Sequence, residues 1–267
     1  MVSGMDLSQN MEQAKTLVEQ AAAGGAQLVL LPEYFCLMGA KDSDKLLIAE
    51  ADGAGPIQDR LASFAQKNGI WLIGGTVPLK TADPHKVWNS TLVFNPQGMR
   101  IARYDKIHLF SFSAESSSHK ENYNEALTIS AGTQPVIVEC DLLKVGLSIC
   151  YDLRFPELYR FMSRLPGGMD LIVVPAAFTY TTGKAHWELL LRARAIENQC
   201  YVLAAAQGGL HANGRRTWGH SMLVDPWGEV ISQAPDQGEA VLIGDIDLEK
   251  IRTVRLSLPA LSHRVLC

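Results

Sequence analysis

Three residues of this chain stand where chemistry is usually done, each at the end of a run that reads as a strand. Cys150 closes the apolar half of Val145-Gly-Leu-Ser-Ile-Cys150-Tyr-Asp-Leu-Arg-Phe-Pro156-Glu-Leu-Tyr159. Pro156 suits the first position of a helix, so Cys150 falls on a sharp strand-to-helix corner. Such a corner lifts a nucleophile off the sheet end and aims the next backbone N–H, here that of Tyr151, at a forming oxyanion. The bland reading of Cys150 is an inert buried thiol, the usual fate of a free cysteine. Glu33 directly follows the strand-like Gln27-Leu-Val-Leu-Leu-Pro32, at the carboxyl edge where open α/β sheets gather ligands. Taken alone, it reads equally well as a solvated loop acid or a helix cap. Lys106 sits in Asp105-Lys106-Ile-His108-Leu-Phe110, at the far end of a predicted hairpin, where a plain surface lysine is the rival reading.

If the three side chains meet at the ends of neighbouring strands, each fits one task in cleaving an amide through a thioester. Cys150 supplies the thiol, and Glu33 takes its proton and later activates water. Lys106 and the Tyr151 N–H face the oxyanion, where losing one such donor typically costs about 2.7–4 kcal/mol of barrier. No histidine is needed, and the local signature of a papain-like cysteine is absent.

Composition narrows the field. With 47% hydrophobic and 19% charged residues among 267, the chain can bury a large core and does not have a disordered composition. A net charge of -4 and a pI near 6.0 leave no basic footprint, so no nucleic-acid partner is expected. The longest apolar runs are strand-sized, and Met1 to Asp6 lacks the pattern of a signal peptide, so the expectation is a cytoplasmic protein with no membrane partner. The five cysteines, Cys36, Cys140, Cys150, Cys200 and Cys267, are odd in number and irregularly spaced, which supports neither a disulfide framework nor a zinc ribbon. The seven histidines form no ligand pair on a predicted helix, so no metal and no cofactor are expected.

Periodicity supplies the elements that must position the trio. Helical spacing runs from Ser8 to Ala23 and stops at Gly24-Gly25, and Leu61 to Lys67 reads as a second helical piece. Strands are predicted at Gln27–Pro32 and Gly69–Thr76, then as a hairpin of Val87–Asn95 and Met99–Tyr104 about a Pro-Gln-Gly turn. Ser111 to Ala131 reads as a long polar loop, lid-like or mobile. Val136-Ile-Val-Glu and Leu143 onward form the strand pair that leads to Cys150, followed by a helix from Pro156. Asp170–Pro175 is a strand, Ala176–Gly183 a loop, Lys184–Gln199 a helix and Cys200–Ala206 a strand. Gly208 to Arg216 reads as a flexible basic loop, with strands at Trp218–Asp225 and Val241–Ile246 and a closing helix from Leu248 to Arg255. No linker or charge run divides the chain, so one α/β domain over residues 1–267 is expected.

Leu-Pro-Glu33-Tyr, Tyr-Asp-Lys106-Ile-His-Leu and Ile-Cys150-Tyr-Asp-Leu-Arg-Phe-Pro-Glu resemble the three motifs of the nitrilase superfamily of carbon–nitrogen hydrolases. The resemblance covers nearly the whole chain. It implies an α-β-β-α sandwich of two mixed β-sheets, a Glu33–Lys106–Cys150 triad, a homodimer, and Glu125 as a second glutamate that orients the lysine. Arg192 to Gln207 and the Trp187 helix look most like the deaminated glutathione amidases of that superfamily, and Phe178 to Gly183 is also similar to the omega-amidases. The implied activity is hydrolysis of a linear amide with release of ammonia. Its substrate would carry a carboxylate, for which Arg154 and Lys184 are the candidate ligands, with Arg215 or Arg216 as further choices.

Two departures set further expectations. The superfamily's domain opens with a short strand, and this chain begins almost inside it; it also stops at His263-Arg-Val-Leu-Cys267, short of the usual tail. Loss of that strand is expected to leave unpaired backbone beside Glu33 and weaken its support. The rival functions are a nitrilase acting on nitriles and a catalytically idle dimeric binding protein.

Overall fold

Strand-sized apolar runs alternating with amphipathic helices dictate sheets covered by helices, and a computed structural model of the chain has that layering. It describes residues 1–115, 120–165 and 167–265. The first half contains α1 (Leu7–Ala23), β1 (Leu28–Leu30), α2 (Pro56–Asn68), β2 (Trp71–Ile73), β3 (Val77–Lys80), β4 (Val87–Phe94), β5 (Arg100–Asp105), β6 (Ser111–Glu115), β7 (Lys120–Asn124) and β8 (Ile129–Ser130). The second half contains β9 (Ile137–Cys140), β10 (Leu143–Leu147), α3 (Pro156–Met162), β11 (Leu171–Ala176), α4 (Tyr180–Asn198), β12 (Tyr201–Ala206), β13 (Gly208–Leu210), β14 (Arg216–Trp218), β15 (Met222–Val224), β16 (Val230–Gln233) and α5 (Leu248–Ser257).

The first sheet runs β1-β2-β4-β3, with β5 and β8 also paired to β4. The second runs β16-β15-β12-β11-β10-β9. Both are mixed: β10, β11 and β12 are parallel neighbours, whereas β9 and β15 pair antiparallel at their flanks. β11 is buried along its whole length, as a strand covered on both faces must be. Met11, Ala14, Val18 and Ala21 of α1 join Ile57, Leu61 and Phe64 of α2 in one core against the first sheet. Trp187, Leu191 and Ala195 of α4 join Leu158 and Met162 of α3 in the other, which also takes Ile73 and Val93 from the first sheet's inner face. The layers are therefore helix, sheet, sheet, helix.

Local chemistry fixes the ends of the helices. Asp6 caps α1 by accepting from Gln9 N at 2.9 Å. Pro56 opens α2, and the buried Glu50 carboxylate accepts from Ile57 N and Gln58 N where the helix leaves its first N–H groups unpaired. Gly69, at φ 63°, ends α2 in the left-handed conformation that glycine adopts without penalty.

The structure corrects several expectations. Within the described part of Ser111–Ala131, β6 and β7 form an antiparallel hairpin that pairs Phe112 with Tyr123, while residues 116–119 of that stretch lie outside the described residues. The hairpin pairs with neither large sheet, and its apolar contacts among the described residues are confined to Phe112 and Tyr123 against Phe110, so it lacks a sustained alternation and reads as loop. Gly208–Arg216 is likewise a hairpin, β13 with β14. α4 starts at Tyr180 and runs through Gly183, whose missing side chain lets Trp218 of β14 pack against the helix; a Cβ there would lie 2.3 Å from Trp218 Cβ. Residues 241–246 form no ladder: Val241, Leu242 and Ile246 pack as a coat on the two cores. Residues 1–4 form no ladder strand either, yet the backbone near Glu33 is paired. Gln207 Oε1 accepts from Ser3 N at 3.0 Å, Gln207 Nε2 donates to Glu33 O at 3.2 Å, and Ser3 Oγ donates to Phe35 O at 2.9 Å. Cys267 lies outside the described residues; Cys36, Cys140, Cys150 and Cys200 are buried free thiols.

Candidate active site

β10 carries the chain to the elbow. Cys150 has φ 47°, a left-handed conformation that a non-glycine residue adopts only when its surroundings impose it. The imposing group is Asp152, buried two residues on in the single helical turn Cys150–Arg154. Its carboxylate accepts from Ile149 N at 2.9 Å, His108 N at 3.0 Å and Tyr104 Oη at 2.7 Å, with His108 Nδ1 at 2.7 Å. The elbow is thus tied to β5 and to the segment just after Lys106. Arg194 of α4 supports it from below, donating through Nε to Leu153 O at 3.0 Å.

Glu33 and Lys106 arrive from the first sheet. Glu33 lies just past β1 and is 1% exposed, while Lys106 follows β5 and is fully buried. Lys106 Nζ donates to Glu33 Oε1 at 2.9 Å and lies 2.8 Å from Glu125 Oε2. The remaining valences of Glu33 are met by Asn89 Nδ2, at 2.9 Å, and by Ala177 N, also at 2.9 Å, at the carboxyl end of β11. Glu33 therefore joins the two sheets. Glu125 is held in turn by Tyr34 Oη at 2.8 Å and Phe110 N at 2.7 Å.

The electrostatics follow from this packing. Burial pulls the Lys106 ammonium down, but Glu125, Glu33 and Cys150 outweigh it and raise the pKa above the ordinary lysine value, so Lys106 is a cation. Burial pushes the Glu125 carboxyl up, yet Lys106 against it wins and leaves it below the usual range. Burial, then the Glu33 charge, drives the Cys150 thiol well above its usual pKa, with Lys106 opposing. The thiol and Glu33 line the same cleft.

Glu33, Glu125, Cys150, Tyr151 and Arg154 line one cleft, closed by Phe178, Thr179 and Thr182 on one side and Arg215 on another. Phe110 packs edge-on against Tyr151, with ring centroids 5.2 Å apart. Arg154 lies over the Tyr151 and Phe178 rings, 5.8 and 5.2 Å from their centroids, and is half-buried. Lys184 is placed elsewhere: it is on the exposed face of α4 and does not line the cleft. Arg216 is exposed and stacks on Tyr180. Among the described residues, no group of three or more His, Cys, Asp or Glu side chains is placed to hold a metal ion, and no helix is long and apolar enough to cross a membrane.

Sequence reasoning missed Tyr34, Asn89 and Asp152. Tyr34 and Asp152 each lie within two residues of a singled-out one, and Asn89 opens a run of three buried polar residues, Asn89-Ser90-Thr91, inside a strand, a signal that was readable.

A cleft lined by a thiol and two carboxylates, with a buried lysine paired to both carboxylates behind it, lies at the junction of the two sheets of an α-β-β-α sandwich. The family model described as carbon–nitrogen hydrolase matches residues 3–256. The deaminated glutathione amidase of a Synechocystis strain is 41% identical over 268 residues, covering 99% of this chain and 96% of that protein. The omega-amidase of Xenopus tropicalis is 40% identical over 258 residues, covering 96% of this chain and 90% of its own. The solved structure of Saccharomyces cerevisiae Nit3, a member of branch 10 of the nitrilase superfamily, superposes with a TM-score of 0.86 at 31% identity, over 99% of this chain and 93% of that one. This chain belongs to the carbon–nitrogen hydrolase family, the nitrilase superfamily, and is an amidase that hydrolyses non-peptide carbon–nitrogen bonds.

Proposed function

We propose that the chain, acting as one catalytic domain, cleaves a keto-acid amide through a thioester on Cys150, with deaminated glutathione as its substrate. The observation that carries the mechanism is the buried contact of Lys106 with Glu33, at 2.9 Å, behind the cleft that Glu33 lines together with the left-handed Cys150. Glu33 takes the thiol proton as Sγ attacks the carbonyl carbon. Lys106 and the Tyr151 N–H hold the oxyanion. The C–N bond then breaks as Glu33 returns that proton to the leaving nitrogen. In the second half, Glu33 removes a proton from water, whose oxygen attacks the thioester; the acid departs, and the thiolate regains the proton. Glu125 is a positioning residue that aligns Lys106.

Arg154 takes the acyl-side carboxylate, supported by its half-buried place in the cleft beside Thr179 and Thr182. The leaving group amends one expectation: ammonia is released only from a primary amide, whereas deaminated glutathione releases the amine of its dipeptide half. The 40% identity to an omega-amidase supports a second reading, in which the substrate is a small primary amide such as alpha-ketoglutaramate. A homodimer is part of the proposal. Its support is the exposed apolar trio Leu189, Ile196 and Trp227, at 68%, 50% and 56% exposure, on α4 and the turn before β16.

The test is release of alpha-ketoglutarate, which both substrates yield, from wild type and Cys150→Ser. Faster release from deaminated glutathione by wild type, and none by the variant, is expected. Faster release from alpha-ketoglutaramate selects the omega-amidase reading. Release by Cys150→Ser at the wild-type rate overturns the mechanism.

A further inference from the structure

A second cavity, about 320 Å³ in volume, lies next to the catalytic cleft and shares one wall residue with it, Arg215. It is formed by the segment 37–45 after β1, by Tyr34 and Tyr123, and by the turn between β13 and β14. We propose that this cavity is an amine-side subsite, which receives the leaving half of an N-substituted amide and holds a carboxylate on that half between Lys45 and Arg215. The proposal rests on the amidase reading of Cys150.

A tetrahedral centre on Cys150 carries its acyl substituent in one direction and its nitrogen substituent in another. With the acyl part toward Arg154 and Phe178, the nitrogen side is left to the Arg215 wall and the space beyond it. The nitrogen of a primary amide bears only hydrogens and needs no such space, whereas about 320 Å³ is within the size range of small-ligand sites, about 300–1,000 Å³.

The cavity is also cationic. Lys41, Lys45 and Arg215 line the cavity against a single carboxylate, Asp42. Lys45 Nζ lies over the Tyr34 ring, 5.1 Å from its centroid, and reaches Thr128 Oγ1 only at 3.4 Å. Among the described residues it has no ion-pair partner within 4.0 Å, and its burial lowers its pKa, against the pull of Glu125 and Asp42, so an anion placed beside it would be welcome. Arg215 also has no ion-pair partner within 4.0 Å among the described residues, although Tyr34, Tyr123, Glu33 and Glu125 hold its pKa up against burial. Its Nε is buried without a hydrogen-bond partner, and its Nη2 reaches Ala177 O only at 3.4 Å. A guanidinium in a cavity wall with donors unspent is matched by a carboxylate.

Asn213 Oδ1 accepts from Arg215 N at 3.0 Å while its Nδ2 donates to Gly39 O at 2.6 Å, so the two loops that wall the cavity are clasped together. Tyr34 forms the back wall and hydrogen-bonds Glu125, which places the subsite against the carboxylate that holds Lys106. A leaving group seated there is fixed with respect to the reacting carbonyl, which raises the rate by orientation.

The experiment measures kcat/KM on three substrates with wild type, Lys45→Met and Lys45→Arg: alpha-ketoglutaramate, deaminated glutathione, and deaminated glutathione with its terminal carboxylate converted to an amide. In wild type, masking the carboxylate is expected to lower kcat/KM by about ten- to a hundredfold, the effect of one charge-assisted hydrogen bond. In Lys45→Met the masked and unmasked substrates are expected to be cleaved at similar rates, and Lys45→Arg recovers part of the difference. The same masking penalty in wild type and Lys45→Met overturns the assignment of Lys45. Rapid cleavage of alpha-ketoglutaramate with no cleavage of deaminated glutathione overturns the subsite and leaves the amidase reading intact. No cleavage of any substrate by folded wild type overturns both.

Discussion

Lys106 is fully buried with two carboxylates against it, and it was the least promising of the three residues when only its place in the sequence was known. What a sequence conceals is the company a side chain keeps. Removing the cation leaves Glu33 and Glu125 facing each other without water, and breaking a buried charged group of this kind costs about 3–5 kcal/mol. Lys106→Met is therefore expected to lower the unfolding free energy by that order and to reduce kcat by at least a hundredfold, measured by denaturant titration and steady-state assay. A variant as stable and active as wild type would remove Lys106 from the account. The thiol makes a separate prediction. Because burial and Glu33 raise the Cys150 pKa, the difference in thiolate absorbance between wild type and Cys150→Ser is expected to be absent below about pH 9, at or above the usual cysteine value. A thiolate signal at neutral pH would mean that Lys106, not Glu33, governs the sulfur. At this scale the sequence was most informative where residues stand in local patterns. Glu33 and Cys150 were marked by the strands they end, Asn89 by its polarity inside a strand and Arg215 by its basic loop, whereas the carboxylate or cleft that Asn89 and Arg215 reach is set by packing between distant segments.

The elbow depends on one carboxylate more than on its own strand. Asp152 satisfies donors from Ile149, His108 and Tyr104, and so holds the positive φ of Cys150 in place. Asp152→Ala is expected to leave these buried donors unpaired, to lower the melting temperature by several degrees and to reduce kcat more than KM, because the nucleophile loses its aim. An Asp152→Ala enzyme with wild-type kcat would show that the backbone alone sets the corner. The core strands were legible because burial on one or both faces writes a pattern into the sequence: the run before Cys150 and the fully buried β11 are examples. Hairpins outside the sheets were not. β6 and β7 are held by backbone pairing and by Phe110, Phe112 and Tyr123 at one face, and the serines and glutamates between them read as loop. The start of α4 was missed for the opposite reason, since Gly183 looks like a stop while it serves as a close contact for Trp218.

Across the whole molecule, α/β/β/α layering brings the carboxyl edges of two sheets together, and the site is a property of that junction. Glu33 and Lys106 belong to one sheet and Cys150 and Ala177 to the other, so no single-sheet reading could place them within one cleft. The same burial that builds the cores sets a pH limit on stability. Burial raises the Cys36, Cys140 and Cys200 thiols to about 12 each. The unfolded chain ionises these groups near their ordinary value, about 8.5, so between there and about 12 the native state binds more protons than the unfolded state. Stability is accordingly complete below about pH 8.5 and falls as the pH rises, by about 1.4 kcal/mol per unit for each thiol. Denaturant midpoints measured between pH 7 and 11 are expected to decline over that window, and replacing Cys200 by alanine is expected to flatten the slope. A flat profile would contradict the burial of these thiols.

Intact-protein mass spectrometry of enzyme quenched during turnover of deaminated glutathione shows whether an acyl group passes through Cys150. The expected mass increment is that of an alpha-ketoglutaryl group replacing the thiol hydrogen, mapped by peptide analysis to the segment holding Cys150, absent in Cys150→Ser and decaying as substrate is exhausted. Steady turnover by Cys150→Ser, or an acyl group found on any other residue, would contradict passage through Cys150.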